Sequence, residues 1–246
     1  MDSLWSLLMP AGFQAFTDRG VYQIDGLTPN YQMVQAMSAQ SVDTSLRLAV
    51  NDAWKPFNVT LPSVAFTFNA TAGPMYGVYA SDGVGITVWS TDVNGATYTL
   101  RFVTERPCTV YFFQFDQVPP SSGNFGLQVF NGQGRLIADS SKPFLRVLDV
   151  IYNEYVPGDG WMVAGAPSPQ WDSRAYGVPI IVSGIYPVRH AWSYDPGGVE
   201  LSSIRVSGNS VSWGTTMYGG GRKPNLAGFR EQWHSRFMVL DATGIV

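Results

Sequence analysis

Over most of its length this chain alternates apolar with polar residues and breaks the alternation at Gly, Asn-Gly and Asp-Gly. That is the period of a β-strand with one buried face. FNVTLPSVAFTF (57–68), ATYTLRFV (96–103), VPIIVSGIYPV (178–188) and VELSSIRV (199–206) carry the pattern, and helical periodicity is almost absent. The expected class is therefore all-β. With 26 Gly and 16 Pro there is turn material throughout, and 246 residues suffice for one large β domain or two smaller ones.

The chain also repeats itself. GFQAFTDRGVYQIDGLTP (12–29) and GLQVFNGQGRLIADSSKP (126–143) superpose at an offset of 114, matching Gly12 with Gly126, Gln14 with Gln128, Phe16 with Phe130, Gly20 with Gly134, Asp25 with Asp139 and Pro29 with Pro143. Each copy reads as a hairpin whose loop glycine supplies positive φ. Further on, Trp89 in GITVWSTDVNG sets on Trp213 in NSVSWGTTMYGG at an offset of 124, and FQFD ending at Asp116 sets on MVLD ending at Asp241 at 125. The expectation is two tandem related β-sandwich-like units, each opening on a hairpin and joined by irregular loops. Their bounds are an apolar N-terminal arm at 1–11, a first unit at 12–118, a Pro-Pro-Ser-Ser-Gly linker at 119–125 and a second unit at 126–246. The second unit carries an insertion around 155–179, YVPGDGWMVAGAPSPQWDSRAYGVP, rich in Pro, Gly and aromatics.

Charged residues are 13% of the chain against roughly 25% in an ordinary soluble domain, while aromatics reach 14%. Assembled interfaces show this depletion and enrichment. A net charge of −3 argues against a general nucleic-acid binder. The single cysteine, Cys108, excludes an internal disulfide and lies in the strand-like CTVYFFQF, where it reads as a small buried hydrophobe. His190 and His234 stand far apart without ligand-spaced partners, so neither a metal nor another cofactor is expected. The start, MDSLWSLLMPAG, has no basic n-region and Pro10 ends its short apolar run, which reads as an arm rather than an export signal. No run approaches the ~20 apolar residues of a membrane-spanning helix, so no membrane insertion is expected.

No catalytic constellation emerges, and an enzyme is not expected. Asp149, Glu154, Asp159 and Asp172 cluster in sequence, but PGDG and QWDS are turn contexts in which Asp serves the backbone. GGGRKPNLAG (219–228) reads as a hairpin tip rather than an anion cradle. Two features remain as contact candidates. Leu4, Trp5, Leu7 and Leu8 form an apolar cluster suited to docking on a neighbour, and Trp161, Trp171, Tyr176 and Trp192 offer either a protein-contact loop or a platform for stacking sugars.

The phrase FGLQVFNGQGRLIADSS resembles the opening hairpin of minor tail, tail-tip or tail-fibre-associated structural proteins of long-tailed, siphovirus-like bacteriophages. The likeness covers the two hairpins and departs from the family in stating the phrase twice and in the arm with Trp5. It implies a non-enzymatic virion component, assembled in the bacterial cytoplasm, that binds other tail subunits and forms a homo-oligomer in the tail. The alternative is a glycan- or receptor-binding β module at the tail tip, active in host attachment. Two similar units in one chain suit quasi-equivalent neighbours, or a threefold ring meeting a sixfold one.

Overall fold

The structure, a computed structural model, describes residues 15–16, 22–24, 30–48, 57–70, 73–117, 126–155, 171–186, 189–192, 198–218, 229–230 and 234–246. A hairpin of β1 (Ala15–Phe16) and β2 (Tyr22–Ile24) comes first. There follow β3 (Tyr31–Gln40), β4 (Val42–Leu48), β5 (Phe57–Asn69), β6 (Met75–Ala80), β7 (Ile86–Asn94), β8 (Thr97–Thr104) and β9 (Thr109–Gln117). A second hairpin, β10 (Gln128–Phe130) and β11 (Leu136–Asp139), opens the second half. It continues as β12 (Val147–Tyr155), β13 (Asp172–Ala175), β14 (Ile180–Tyr186), β15 (Arg189–Trp192), β16 (Gly198–Ser207), β17 (Ser210–Tyr218), β18 (Phe229–Arg230) and β19 (His234–Asp241). The fold is all-β and sandwich-like, as the alternation predicts.

Two antiparallel sheets face each other. A six-stranded sheet runs β12-β19-β14-β6-β9-β3, and a nine-stranded sheet runs β13-β17-β16-β7-β8-β5-β4 with β15 and β18 branching from β16. Alternation sends Val64, Phe66 and Phe68 of β5 inward and leaves Ala65, Thr67 and Asn69 exposed. Phe66 stacks across the sandwich on Phe112 of β9, ring centroids 4.9 Å apart, and Phe102 packs edge-on to Phe66. Each such ring, fully buried, contributes on the order of 2–3 kcal/mol. Pro62, which cannot donate to a ladder, stands where β5 passes from pairing β4 (Phe57–Ser63) to pairing β8 (Ser63–Asn69).

Both sheets also bury apolar side chains on their outer faces. Leu61, Trp89, Val103 and Leu201 form one such cluster on the nine-stranded sheet, and Phe113, Phe115, Ile181 and Leu240 form another on the six-stranded sheet. This explains why β9 carries four consecutive apolar residues, Val110 to Phe113, in place of a strict alternation.

Read outward from the middle, the strand order repeats. The six-stranded sheet runs β6-β9-β3 one way and β14-β19-β12 the other; the nine-stranded sheet runs β7-β8-β5 and β16-β17-β13. The corresponding strands β6 and β14 meet antiparallel at Val78 and Val182, and β7 and β16 meet antiparallel at Ile86 and Ile204. Antiparallel neighbours of equal rank are related by a half-turn about an axis normal to the sheet. The two halves therefore lie side by side about a local twofold, each supplying part of both sheets.

This order revises the sequence register in one place. Gly95 of the β7–β8 turn and Gly208 of the β16–β17 turn take the same left-handed conformation, φ 60° and 59°, at an offset of 113. Trp89 on β7 and Trp213 on β17 are thus not counterparts: Trp89 faces the outer cluster and Trp213 the inter-sheet core. Asp116 and Asp241 do correspond, as buried residues late in β9 and β19. Since the offset steps from 113 to 125 between the β8/β17 turns and these aspartates, about a dozen residues enter after β17, where β18 lies. The stretch 155–179 stands between β12 and β14, in the place of β4 and β5, and its residues 156–170 lie outside the described residues.

Candidate interaction surfaces

Trp171 is opposite Gly214, because β13 pairs β17 with Asp172 across from Trp213. Its indole lies over that glycine so closely that a Cβ there would sit 2.7–2.9 Å from three ring carbons. The Arg205 guanidinium is 3.8 Å from the ring centroid, a cation–π stack. Arg205 in turn grips Glu105 with two donors, Nε to Oε2 at 3.1 Å and Nη2 to Oε1 at 2.9 Å. Ser203 and Thr216 each donate to Oε1 at 2.9 Å, and the Gly85 N–H donates to Oε2 at 3.2 Å. Burial opposes the charge on Glu105, but Arg205, Thr216 and Ser203 outweigh it and hold the carboxyl below its ordinary range. This carboxylate from the first half thus ties β16 and β17 of the second, with Trp171 as its cover.

Tyr176 has a different post. Its hydroxyl donates to Asp149 Oδ2 at 2.8 Å, beside Arg174 Nη1 at 2.7 Å, while Asp149 Oδ1 accepts the Val150 N–H at 2.8 Å. Burial and then the bond to Asp149 push the phenol up to about 12. On Asp149 burial acts against the charge, yet Arg174 and Tyr176 prevail and depress the carboxyl. The cluster joins the edge strands β12 and β13 across the open side of the sandwich, and its carboxylate also accepts a backbone N–H of β12.

Trp171 and Tyr176 consequently do not share a surface. Trp192 pairs Gly198 through β15. Leu4, Trp5, Leu7, Leu8 and Trp161 lie outside the described residues, as do Asp159 and the run 219–228. Of the other carboxylates, Asp149 is engaged as above and Asp172 is exposed on β13. Cys108 is buried, its backbone bound to Ser41.

The second hairpin is held rigidly. The Gln32 side chain donates through Nε2 to the carbonyls of Asp139 and Lys142 and accepts the Asp139 N–H through Oε1 at 2.8 Å. Asp139 caps the following turn by accepting from the Ser141 N–H (2.8 Å) and hydroxyl (2.6 Å). Val129, Ile137 and Ala138 pack inward with Phe144. Leu127 and Phe130 are left 56% and 53% exposed, and the same two positions in the first hairpin hold Phe13 and Phe16.

A second apolar surface lies on β12, where Leu148, Val150 and Tyr152 share an exposed face. Arg236 stands 5.2 Å from the ring of Tyr152 and 5.2 Å from that of exposed Tyr186. None of these residues stood out in the sequence, since an apolar residue at a strand position looks alike on either face. At one end of the sandwich a cavity of about 330 Å³ opens among Tyr79, Asp82, Pro179, Ile180 and Val206. Among the described residues no His, Cys, Asp or Glu side chains gather in a group able to hold a metal, and no helix is long and apolar enough to cross a membrane. No family model, curated protein or solved structure matches the chain.

Proposed function

We propose that this protein is a non-enzymatic structural component of a bacteriophage tail, in the tail tip or fibre-attachment region of the virion, and that it works through protein–protein assembly contacts. The observation that carries the reading is the second hairpin: a rigidly seated β element that turns Leu127 and Phe130 to solvent, repeated in sequence by Phe13 and Phe16. Preorganised aromatic residues are the anchors of protein interfaces, because little entropy is lost when they dock. Sparse charge across the chain is in keeping with this role. The half-turn between the halves suits neighbours arranged about a dyad; a threefold-to-sixfold adaptor requires a 60° relation instead.

The glycan-binding alternative draws less support, since Trp171 is covered by Arg205 and Tyr176 is bonded to Asp149. Tagging the chain in phage-producing cells and imaging purified particles tests the proposal. Label at the distal tail is expected, and particles that infect normally without containing the chain would sink it.

A further inference from the structure

We propose that Asn94, at the tip of the β7–β8 hairpin, is a site of spontaneous covalent modification. Its side chain closes on the Gly95 backbone nitrogen to a succinimide, which water opens to aspartate and isoaspartate. The site is independent of the assembly reading above.

The chain holds two Asn-Gly sequences, Asn94-Gly95 and Asn131-Gly132. Glycine after asparagine favours this ring closure, because no side chain shields its nitrogen and its backbone turns freely. Both pairs stand at hairpin turns, so the sequence treats them alike. The structure separates them. Asn131 Oδ1 accepts the N–H groups of Gln133 at 3.0 Å and Arg135 at 2.9 Å, and its Nδ2 donates to Gln133 Oε1 at 3.1 Å. Its carbonyl accepts the Gly134 N–H at 2.9 Å. Swinging Cγ onto the Gly132 nitrogen requires breaking the side-chain bonds first.

At Asn94 there is nothing comparable to break. The residue is exposed, and among the described residues none bonds its side chain. Asn94 pairs Thr97 on the last rung of the ladder, which leaves Gly95 and Ala96 as the turn. Gly95 takes φ 60° in open space, and among the described residues none accepts its N–H. Nucleophile and electrophile are adjacent, wet and unengaged.

The Gly95 nitrogen gives its proton to base and attacks Asn94 Cγ. A bond forms between them, the Cγ–Nδ2 bond breaks, and Nδ2 leaves as ammonia. Water then cleaves the imide, at Cγ to give aspartate or at the α-carbonyl to give isoaspartate. One water is consumed, one ammonia is released, and nothing is oxidised. Either product adds a carboxylate near exposed Asp92. Isoaspartate also inserts one atom into the backbone at the rung that sets the β7–β8 register.

Incubating the folded chain in mildly alkaline buffer, then fragmenting its peptides in a mass spectrometer, tests this. A one-dalton gain is expected at Asn94, with isoaspartate confirmed by an isoaspartyl-directed carboxyl methyltransferase. Asn131 is expected to react about tenfold more slowly or less, since its bonds must open first. In concentrated urea the two sites should react at similar rates, which assigns the difference to the fold. An Asn94 that reacts in urea but stays intact in the folded chain overturns the proposal. So does an Asn131 that keeps pace with Asn94 in the folded chain, or a product containing aspartate alone, the mark of direct hydrolysis without the imide.

Discussion

Replacing Glu105 by Gln keeps the shape of the side chain and removes its charge. The carboxylate is 15% exposed and accepts from Arg205, Ser203, Thr216 and the Gly85 N–H. Hydrogen bonds to a charged group are worth roughly 1.5–3 kcal/mol each. Their sum must be discounted, because Arg205 is 40% exposed and regains water, and the amide oxygen still accepts one or two donors. The expected loss is about 2 kcal/mol at neutral pH, which for a domain of this size lowers Tm by about 4–8 °C. Urea unfolding should show a lower midpoint with the same slope. The sign of the pH dependence follows from the depressed carboxyl: its stabilisation is complete above the unfolded pKa of about 4.3 and is lost as pH falls through the folded value. The gap between parent and variant should therefore close in acid. A variant within about 0.5 kcal/mol of the parent at pH 7 would refute the reasoning. So would a double-mutant cycle with Arg205→Met that is additive within about 0.3 kcal/mol.

Other expectations concern packing and edges. Gly214→Ala places a methyl against the Trp171 ring and should cost about 1–3 kcal/mol; in a Trp171→Ala background most of that cost should vanish in the same urea assay. Tyr176→Phe removes one bond to Asp149 and should cost about 1 kcal/mol, with the Asp149 carboxyl, followed by NMR titration, moving up towards its ordinary value. Phe102→Ala, at the centre of the inter-sheet core, should cost about 3–5 kcal/mol in equilibrium unfolding; a loss under 1 kcal/mol would contradict that placement. Cys108 should resist a thiol reagent until the chain is unfolded, and reaction at the rate of a free thiol in native buffer would count against its burial.

The β class was legible because strands such as β5 bury one face, and the hairpin echo was legible because its turn chemistry is local. Trp89 and Trp213 misled for the opposite reason: both sheets bury apolar side chains on both faces, so a buried Trp marks no particular face or strand. Glu105 gave no signal at all. Its partners lie about a hundred residues downstream, and nothing local to it announces a bidentate arginine. Exposed Phe130 was written in the sequence, but as one more apolar residue of a strand; only its neighbours' burial beneath the hairpin reveals which way it turns.

The seam between the halves carries one backbone pair in each sheet, Val78 with Val182 and Ile86 with Ile204, and is reinforced by the shared inter-sheet core and by the bonds of Glu105 and Gln32 to the second half. Two separate half-chains would have to find each other in solution to form it. Joined in one polypeptide, they meet at an effective concentration that for short flexible linkers is on the order of millimolar. Stability of the seam then becomes independent of copy number, so a protein needed in only a few copies folds as surely when dilute as when abundant. Cutting the linker between the halves, with every residue retained, should turn a concentration-independent melting transition into a concentration-dependent one.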